Sequence, residues 1–130
     1  MRIKSYITYK KEYEENIQQD LVFLSNSLNV IDLWCVDEEE LYIDITGATV
    51  TLMVKENPSD LDSAAVINKT VTSFTNPTSG NTLVEITKDE CENLVGNYVY
   101  ELRIAMTESG HEYILKNGNI CFQKSIYGIV

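Results

Sequence analysis

The sequence predicts an all-β fold, an antiparallel sandwich or barrel, and three observations carry that expectation. Apolar residues alternate with period two over residues 98–104 and 48–54, which places one face in a core and the other in water. Turn residues separate such runs, as in Asn76-Pro-Thr-Ser-Gly80 and Glu108-Ser-Gly110, the pattern of a many-stranded antiparallel domain. Only two prolines occur, Pro58 and Pro77, and both lie in polar stretches.

Taken in chain order, residues 1–9 alternate weakly, with Ile3, Ile7 and Tyr9 on one face, and read as an extended arm. Tyr13, Ile17, Leu21 and Leu24 then recur at helical spacing among Glu12, Glu14, Glu15, Gln18 and Gln19. Residues 21–24 fit a strand equally well. The preferred reading is a polar linker or helical turn through about Gln19, then a strand. Residues 28–36 and 41–45 read as strands flanking the acidic turn Asp37-Glu-Glu-Glu40, with Trp34 in the core. Residues 48–54 put Ala48, Val50, Leu52 and Val54 inward and Thr49, Thr51 and Met53 outward. Further strands are expected over residues 64–71 and around Val84 and Ile86. Thr87 and Glu90 stand at capping-box spacing, which predicts one helical turn over residues 87–94. Tyr98, Tyr100, Leu102 and Ile104 then face inward, with Val99, Glu101 and Arg103 outward. Residues 113–115 and 119–122 flank Lys116-Asn-Gly118, a hairpin signal because Asn-Gly accepts positive φ at low cost.

A length of 130 residues suits one domain, and a hydrophobic fraction of 44% is too high for a mostly disordered chain. The expected organisation is an N-terminal arm over residues 1–19, one β-domain over 20–124 and an apolar tail over 125–130. The net charge of −10 repels nucleic acid phosphates and anionic lipid, so neither is expected as a partner. Charge is split along the chain: Arg2, Lys4, Lys10 and Lys11 precede the first acid, leaving six cations against 20 acids beyond them. A basic end on an acidic body can draw in a neighbouring copy. The tail residues Ile126, Tyr127, Ile129 and Val130 are apolar enough to pack on a neighbour. These eight residues are the expected interface. Cys35, Cys91 and Cys121 are odd in number and far apart, as reduced thiols in a cytosol are. No secretory pattern opens the chain and no apolar run nears the roughly 20 residues that span a bilayer. The expectation is a soluble protein made inside a cell.

Candidate chemistry is sparse. His111 is the only histidine and no nucleophile pairs with it by motif. Residues 37–40 lack the alternation of a calcium loop and read as a solvated tip, as do Asp60 and Asp62. Asn68-Lys-Thr70 matches a glycosylation sequon, without a secretory route to use it. No catalytic set, cofactor site or metal site is expected.

Two stretches carry a family likeness. One is Asp44-Ile-Thr-Gly-Ala-Thr-Val-Thr-Leu; the other runs Gly80-Asn-Thr-Leu-Val-Glu-Ile-Thr, Leu94-Val-Gly-Asn-Tyr-Val-Tyr-Glu-Leu and Gly118-Asn-Ile-Cys-Phe. Together they resemble the N-terminal immunoglobulin-like domain of phage baseplate upper proteins and related tail and head-fibre proteins, over residues 20–124. Fold-defining roles are expected at Asp44, Thr46 and Gly47, where a side chain closes a turn onto its own backbone, and at Gly96, Tyr98 and Tyr100, which resemble a tyrosine corner. Such a domain usually precedes a long extension, and this sequence stops at Val130. The resemblance therefore implies a virion component, assembled in the host cytoplasm, acting as adaptor, decoration protein, fibre anchor or baseplate or tail part. Its expected partners are other virion proteins and further copies of itself in a symmetric assembly. The competing expectation is a carbohydrate-binding module for host attachment, which requires a planar row of exposed aromatics.

Overall fold

The computed structural model describes residues 3–7, 17–107 and 110–124. Its elements are β1 (Lys4–Ile7), β2 (Leu21–Leu24), β3 (Asn29–Val36), β4 (Thr49–Lys55), β5 (Ile67–Val71), β6 (Asn81–Ile86), α1 (Lys88–Cys91), β7 (Gly96–Ala105) and β8 (Glu112–Gln123). They form two sheets, one ordered β1-β3-β6 and the other β2-β8-β7-β4-β5. The fold is all-β, with the sheets enclosing one core. All pairings are antiparallel except that of β2 with β8.

Alternation builds the core directly. Ile31, Leu33 and Cys35 of β3 and Val84 and Ile86 of β6 enter from the smaller sheet. Val50, Leu52 and Val54 of β4, Tyr100, Leu102 and Ile104 of β7, and Ile120 and Phe122 of β8 enter from the larger. Phe122 takes edge contacts from Phe23 and Tyr98. Burial of each aliphatic side chain contributes about 1.5–3 kcal/mol. Desolvation pushes the Cys35 thiol up to about 12, so it sits there as a small neutral core group.

Several expectations need correction. The segment expected as an arm contributes β1, which pairs with β3 and puts Ile7 in the core. Residues 8–16, which hold most of the expected linker, lie outside the described residues. Residues 41–45 form no strand; Tyr42 makes one isolated bridge to Val36. β5 starts at Ile67, after a short 3-10 turn at Asp62–Ala64. Trp34 is not core: it alternates with Leu33 and Cys35, so it lies on the outer face, 5.7 Å from the Tyr42 ring. The hairpin expected at Lys116-Asn-Gly118 is absent, and β8 runs unbroken through it. Gly118 serves a different purpose: a Cβ there would lie 2.6 Å from the Gln19 carbonyl oxygen. The glycine permits a close backbone crossing within a strand.

Local signals elsewhere form as chemistry dictates. Thr87 accepts from the Glu90 N–H while Glu90 Oε1 accepts from the Thr87 N–H, a complete capping box. Glu90 also accepts from Lys69 Nζ of β5 at 2.7 Å, which ties α1 to the larger sheet. Desolvation raises the Glu90 carboxyl, but the bonds from Lys69 and Thr87 outweigh it and hold the group below its ordinary value. Gly80 has φ +68, and a Cβ on it would lie 2.4 Å from the Cys35 carbonyl oxygen and 2.8 Å from that of Ile43.

Two measurements check this account. Gly80→Ala combines left-handed strain with a clash against fixed backbone, so denaturant melts should show a loss of about 3 kcal/mol or more. Gly110→Ala has φ +66 but open space around it, so its loss should stay near 1–2 kcal/mol. Because the Glu90 carboxyl is depressed in the folded state, its contribution is present above the unfolded pKa of about 4.3 and is lost as pH falls through the folded value. Glu90→Gln should therefore flatten the acid limb of a stability-versus-pH curve, and Thr87→Ala should cost about 1 kcal/mol near neutrality.

Candidate docking surfaces

The outer face of the larger sheet forms a trough. Thr49, Thr51, Met53 and Lys55 alternate outward from the buried residues of β4. In register beside them stand Ala105, Arg103, Glu101 and Val99 of β7, and beyond those Asn117 and Asn119 of β8. Gln18 forms one wall, Pro58 and Asp62 the other, and the space enclosed is about 690 Å³.

The Gln18 wall is pinned by the crossing at Gly118. Gln19 N–H donates to the Asn117 carbonyl at 2.9 Å, and Asn117 N–H donates to that of Ile17 at 3.0 Å. Asn119 N–H donates to Asp20 Oδ1 at 3.0 Å. From below, the Tyr100 hydroxyl donates to the Gln19 carbonyl at 2.6 Å. Desolvation, with the nearby Asp20 charge second, raises the Tyr100 phenol, so it stays a neutral donor. The opposite wall hangs on Lys55, whose Nζ donates to the Asp60 carbonyl at 2.8 Å and to Asp62 Oδ1 at 2.7 Å.

Charges inside the trough are matched. Arg103 Nε donates to Glu101 Oε2 at 2.6 Å, and its Nη1 reaches Glu112 Oε2 at 3.5 Å. The Glu101 hydrogen bond and charge raise the Arg103 guanidinium further. The bond from Lys55, then its charge, lowers the Asp62 carboxyl. Both shifts lock the charged forms in place. A general acid or base needs the opposite, a group brought near neutrality.

The smaller sheet carries a second apolar cluster on its outer face. Tyr6 and Val36 are buried yet lie outside the main core, beside Trp34 and Tyr42. The Tyr6 hydroxyl donates to Glu40, 2.6 Å from Oε2, and Lys4 Nζ sits 3.2 Å from Oε1. Asp37 Oδ1 accepts from the Glu39 and Leu41 N–H groups. The acidic run is therefore a folded turn latched to β1.

The expected interface residues fall as follows. Lys4 pairs with Glu40 of its own chain. Arg2, Lys10, Lys11, Ile126, Tyr127, Ile129 and Val130 lie outside the described residues. Asp44 Oδ1 accepts from Thr46 N–H at 2.9 Å and from Thr46 Oγ1 at 2.6 Å. Its carboxyl is lowered by those two bonds. Gly47 follows at φ +80, and its carbonyl accepts from Thr107 Oγ1. Gly96 has φ +100. The Tyr98 hydroxyl lies 3.5 Å from the Val95 carbonyl, long for a hydrogen bond, whereas Tyr100 makes the short one. His111 is exposed beside Tyr113. Among the described residues no three His, Cys, Asp or Glu side chains cluster as metal ligands.

Sequence reasoning overlooked the trough. Its signal was present in Glu101 and Arg103, two apart on the polar face of the best-marked strand. Nothing in the sequence showed that Glu112 and residues 18–20 would complete it.

No protein-family model and no curated protein matches the sequence. A solved structure that matches is a family 123 glycoside hydrolase from Clostridium perfringens, described for glycolipid glycan hydrolysis. It is 10% identical with a TM-score of 0.43, and the match covers 95% of this chain and 27% of that one. The chain thus spans about a quarter of that structure, and at this similarity nothing of its activity transfers.

Two tests follow. Tyr100→Phe removes one short bond and leaves the Gln19 carbonyl unmatched, which should cost about 1–2 kcal/mol. Amide exchange should then speed up at Gln19 and Asn119 more than in β4. Cys35 and Cys91 are buried and Cys121 is only half-buried, so a thiol reagent should modify Cys121 alone in the native protein. Rapid labelling of Cys35 would contradict the packing described.

Proposed function

We propose that this chain is an immunoglobulin-like docking domain of a bacteriophage particle, working by protein–protein contact and not by catalysis. The immunoglobulin-like reading is supported by strand order. A three-stranded sheet faces a five-stranded one, and the two N-terminal strands divide between them, β1 antiparallel to β3 and β2 parallel to β8. The phage reading is supported by the resemblance in residues 44–52, 80–87, 94–102 and 118–122. In this reading the partners are other virion proteins and further copies of the chain. The basic residues Arg2, Lys10 and Lys11 lie against an acidic neighbour, and the apolar tail Ile126, Tyr127, Ile129 and Val130 adds contact area.

The observation that carries the docking reading is the trough with its matched charges. Broad and lined by polar and apolar groups in similar measure, it suits a protein surface that supplies complementary hydrogen bonds and apolar contact. The carbohydrate-binding alternative is less well supported. Tyr100 is the one aromatic lining the trough, and it faces the core. On the other sheet Trp34 and Tyr42 are tilted by 41°, which is no flat stacking platform.

Thr51→Arg with Met53→Glu fills the trough at outward positions and spares the core. The double variant should keep its melting temperature within about 3 °C and fail to join particles when it replaces the native chain during assembly. Full incorporation would sink the reading, as would turnover of a glycan substrate by the native protein. Association through residues 1–11 should weaken steeply with added salt; association unchanged by salt removes the basic arm from the account.

A further inference from the structure

We propose that the open edge of β6, on the sheet opposite the trough, accepts an extended basic segment of a partner protein as an added strand. The two surfaces are separate, so either reading can fail alone.

The strand edges differ in how they are protected. In β2 the edge is closed by a side chain: Asn29 Oδ1 accepts from the Leu24 N–H at 3.1 Å, and Asn29 Nδ2 donates to the Leu24 carbonyl at 2.8 Å. The amide stands in for a neighbouring strand. β5 turns Asn68 and Thr70 to solvent, and its Lys69, in register with inward Leu52, is held by Glu90. A charge turned inward on an edge strand opposes further pairing. β1 is only four residues long.

β6 has no such device at its centre. Gly80 O accepts from Cys35 N–H at 2.8 Å, so residue 80 faces β3. Asn81 faces the other way and exchanges both its backbone bonds with Asn76, at 3.0 and 3.1 Å. Strand alternation then turns the N–H and C=O groups of Leu83 and Glu85 away from β3. Among the described residues no backbone group meets them there; the Thr82 hydroxyl lies 3.4 Å from the Leu83 carbonyl. The side chains alongside are apolar or acidic: Leu83 is 38% exposed, Val30 of β3 is 43% exposed, and Glu85 is exposed.

These features define the occupant. Two residues offering paired donors and acceptors in a row are met by an extended backbone. Leu83 and Val30 favour an apolar side chain on the added strand's outer face. Glu85, on a chain of net charge −10, favours a lysine or arginine beside it. A second copy that met this edge through its own β6 would bring another Glu85 beside the first, so edge-to-edge self-pairing is disfavoured.

The test uses the full chain and a capped synthetic peptide of about nine residues that alternates valine and threonine with lysine. A counterpart with glutamate replacing lysine is the control. Hydrogen exchange by NMR should show the lysine peptide slowing the Leu83 and Glu85 amides by about ten-fold or more, with little change in β5. The glutamate peptide should not slow them. Leu83→Pro removes an outward N–H that bonds nothing within the sheet, so it should fold normally and lose the protection. Glu85→Lys leaves the backbone intact and should weaken the lysine peptide several-fold. The inference is overturned if neither amide is protected at about 1 mM peptide, or if protection survives Leu83→Pro. Protection that rises with protein concentration alone, assigning the edge to a second copy, or that appears on β5 overturns it as well.

Discussion

The architecture turns on a place where two backbones nearly touch. At Gly118 the chain segment through Gln19 and Asp20 lies so close to β8 that any side chain would collide with a carbonyl oxygen. That contact carries residues 17–20 alongside β8 and delivers β2 as its parallel partner. Tyr100 then holds Gln19 from the core side. The same crossing extends the larger sheet and raises one wall of its trough.

A similar economy appears at Gly80, where the loop before β6 is pressed between the carbonyls of Cys35 and Ile43. Cys35 donates to Gly80, Ile43 to Cys35 and Ile45 to Pro77. An irregular segment that could not pair as a strand thus satisfies its buried backbone groups one by one. Asn81 continues this network, donating to Asp32 and to the Leu33 carbonyl. Residues 41–45 are ordered by this lattice and not by a ladder of their own.

Polar groups on the outer face of the larger sheet and on α1 are arranged to hold their charge state. Arg103, Asp62 and Glu90 are each shifted toward the ionised form. Fixed charges in matched pairs give a surface a pattern that a partner can read. They give little purchase for proton transfer near neutrality.

The alternation of side chains determined much of the fold without help from tertiary structure. Period two in β4 and β7 leaves one possible inward set, because a slip by one residue would expose every apolar group. The Thr87–Glu90 box and the Asp44–Thr46 turn are local bonds between near neighbours in sequence, and they too were legible. What tertiary structure alone decided are the long-range choices. Asn-Gly at 117–118 has the chemistry of a hairpin, yet it sits inside a strand because residues 18–20 occupy the space beside it. Trp34 belongs to an apolar run, yet the register of β3 against β6 sends Leu33 and Cys35 inward and the indole outward. Arg103 and Glu112 are nine apart in sequence, and only the pairing of β7 with β8 sets them at one site. Local pattern fixes which groups seek burial; which strand lies beside which is settled by packing between distant segments.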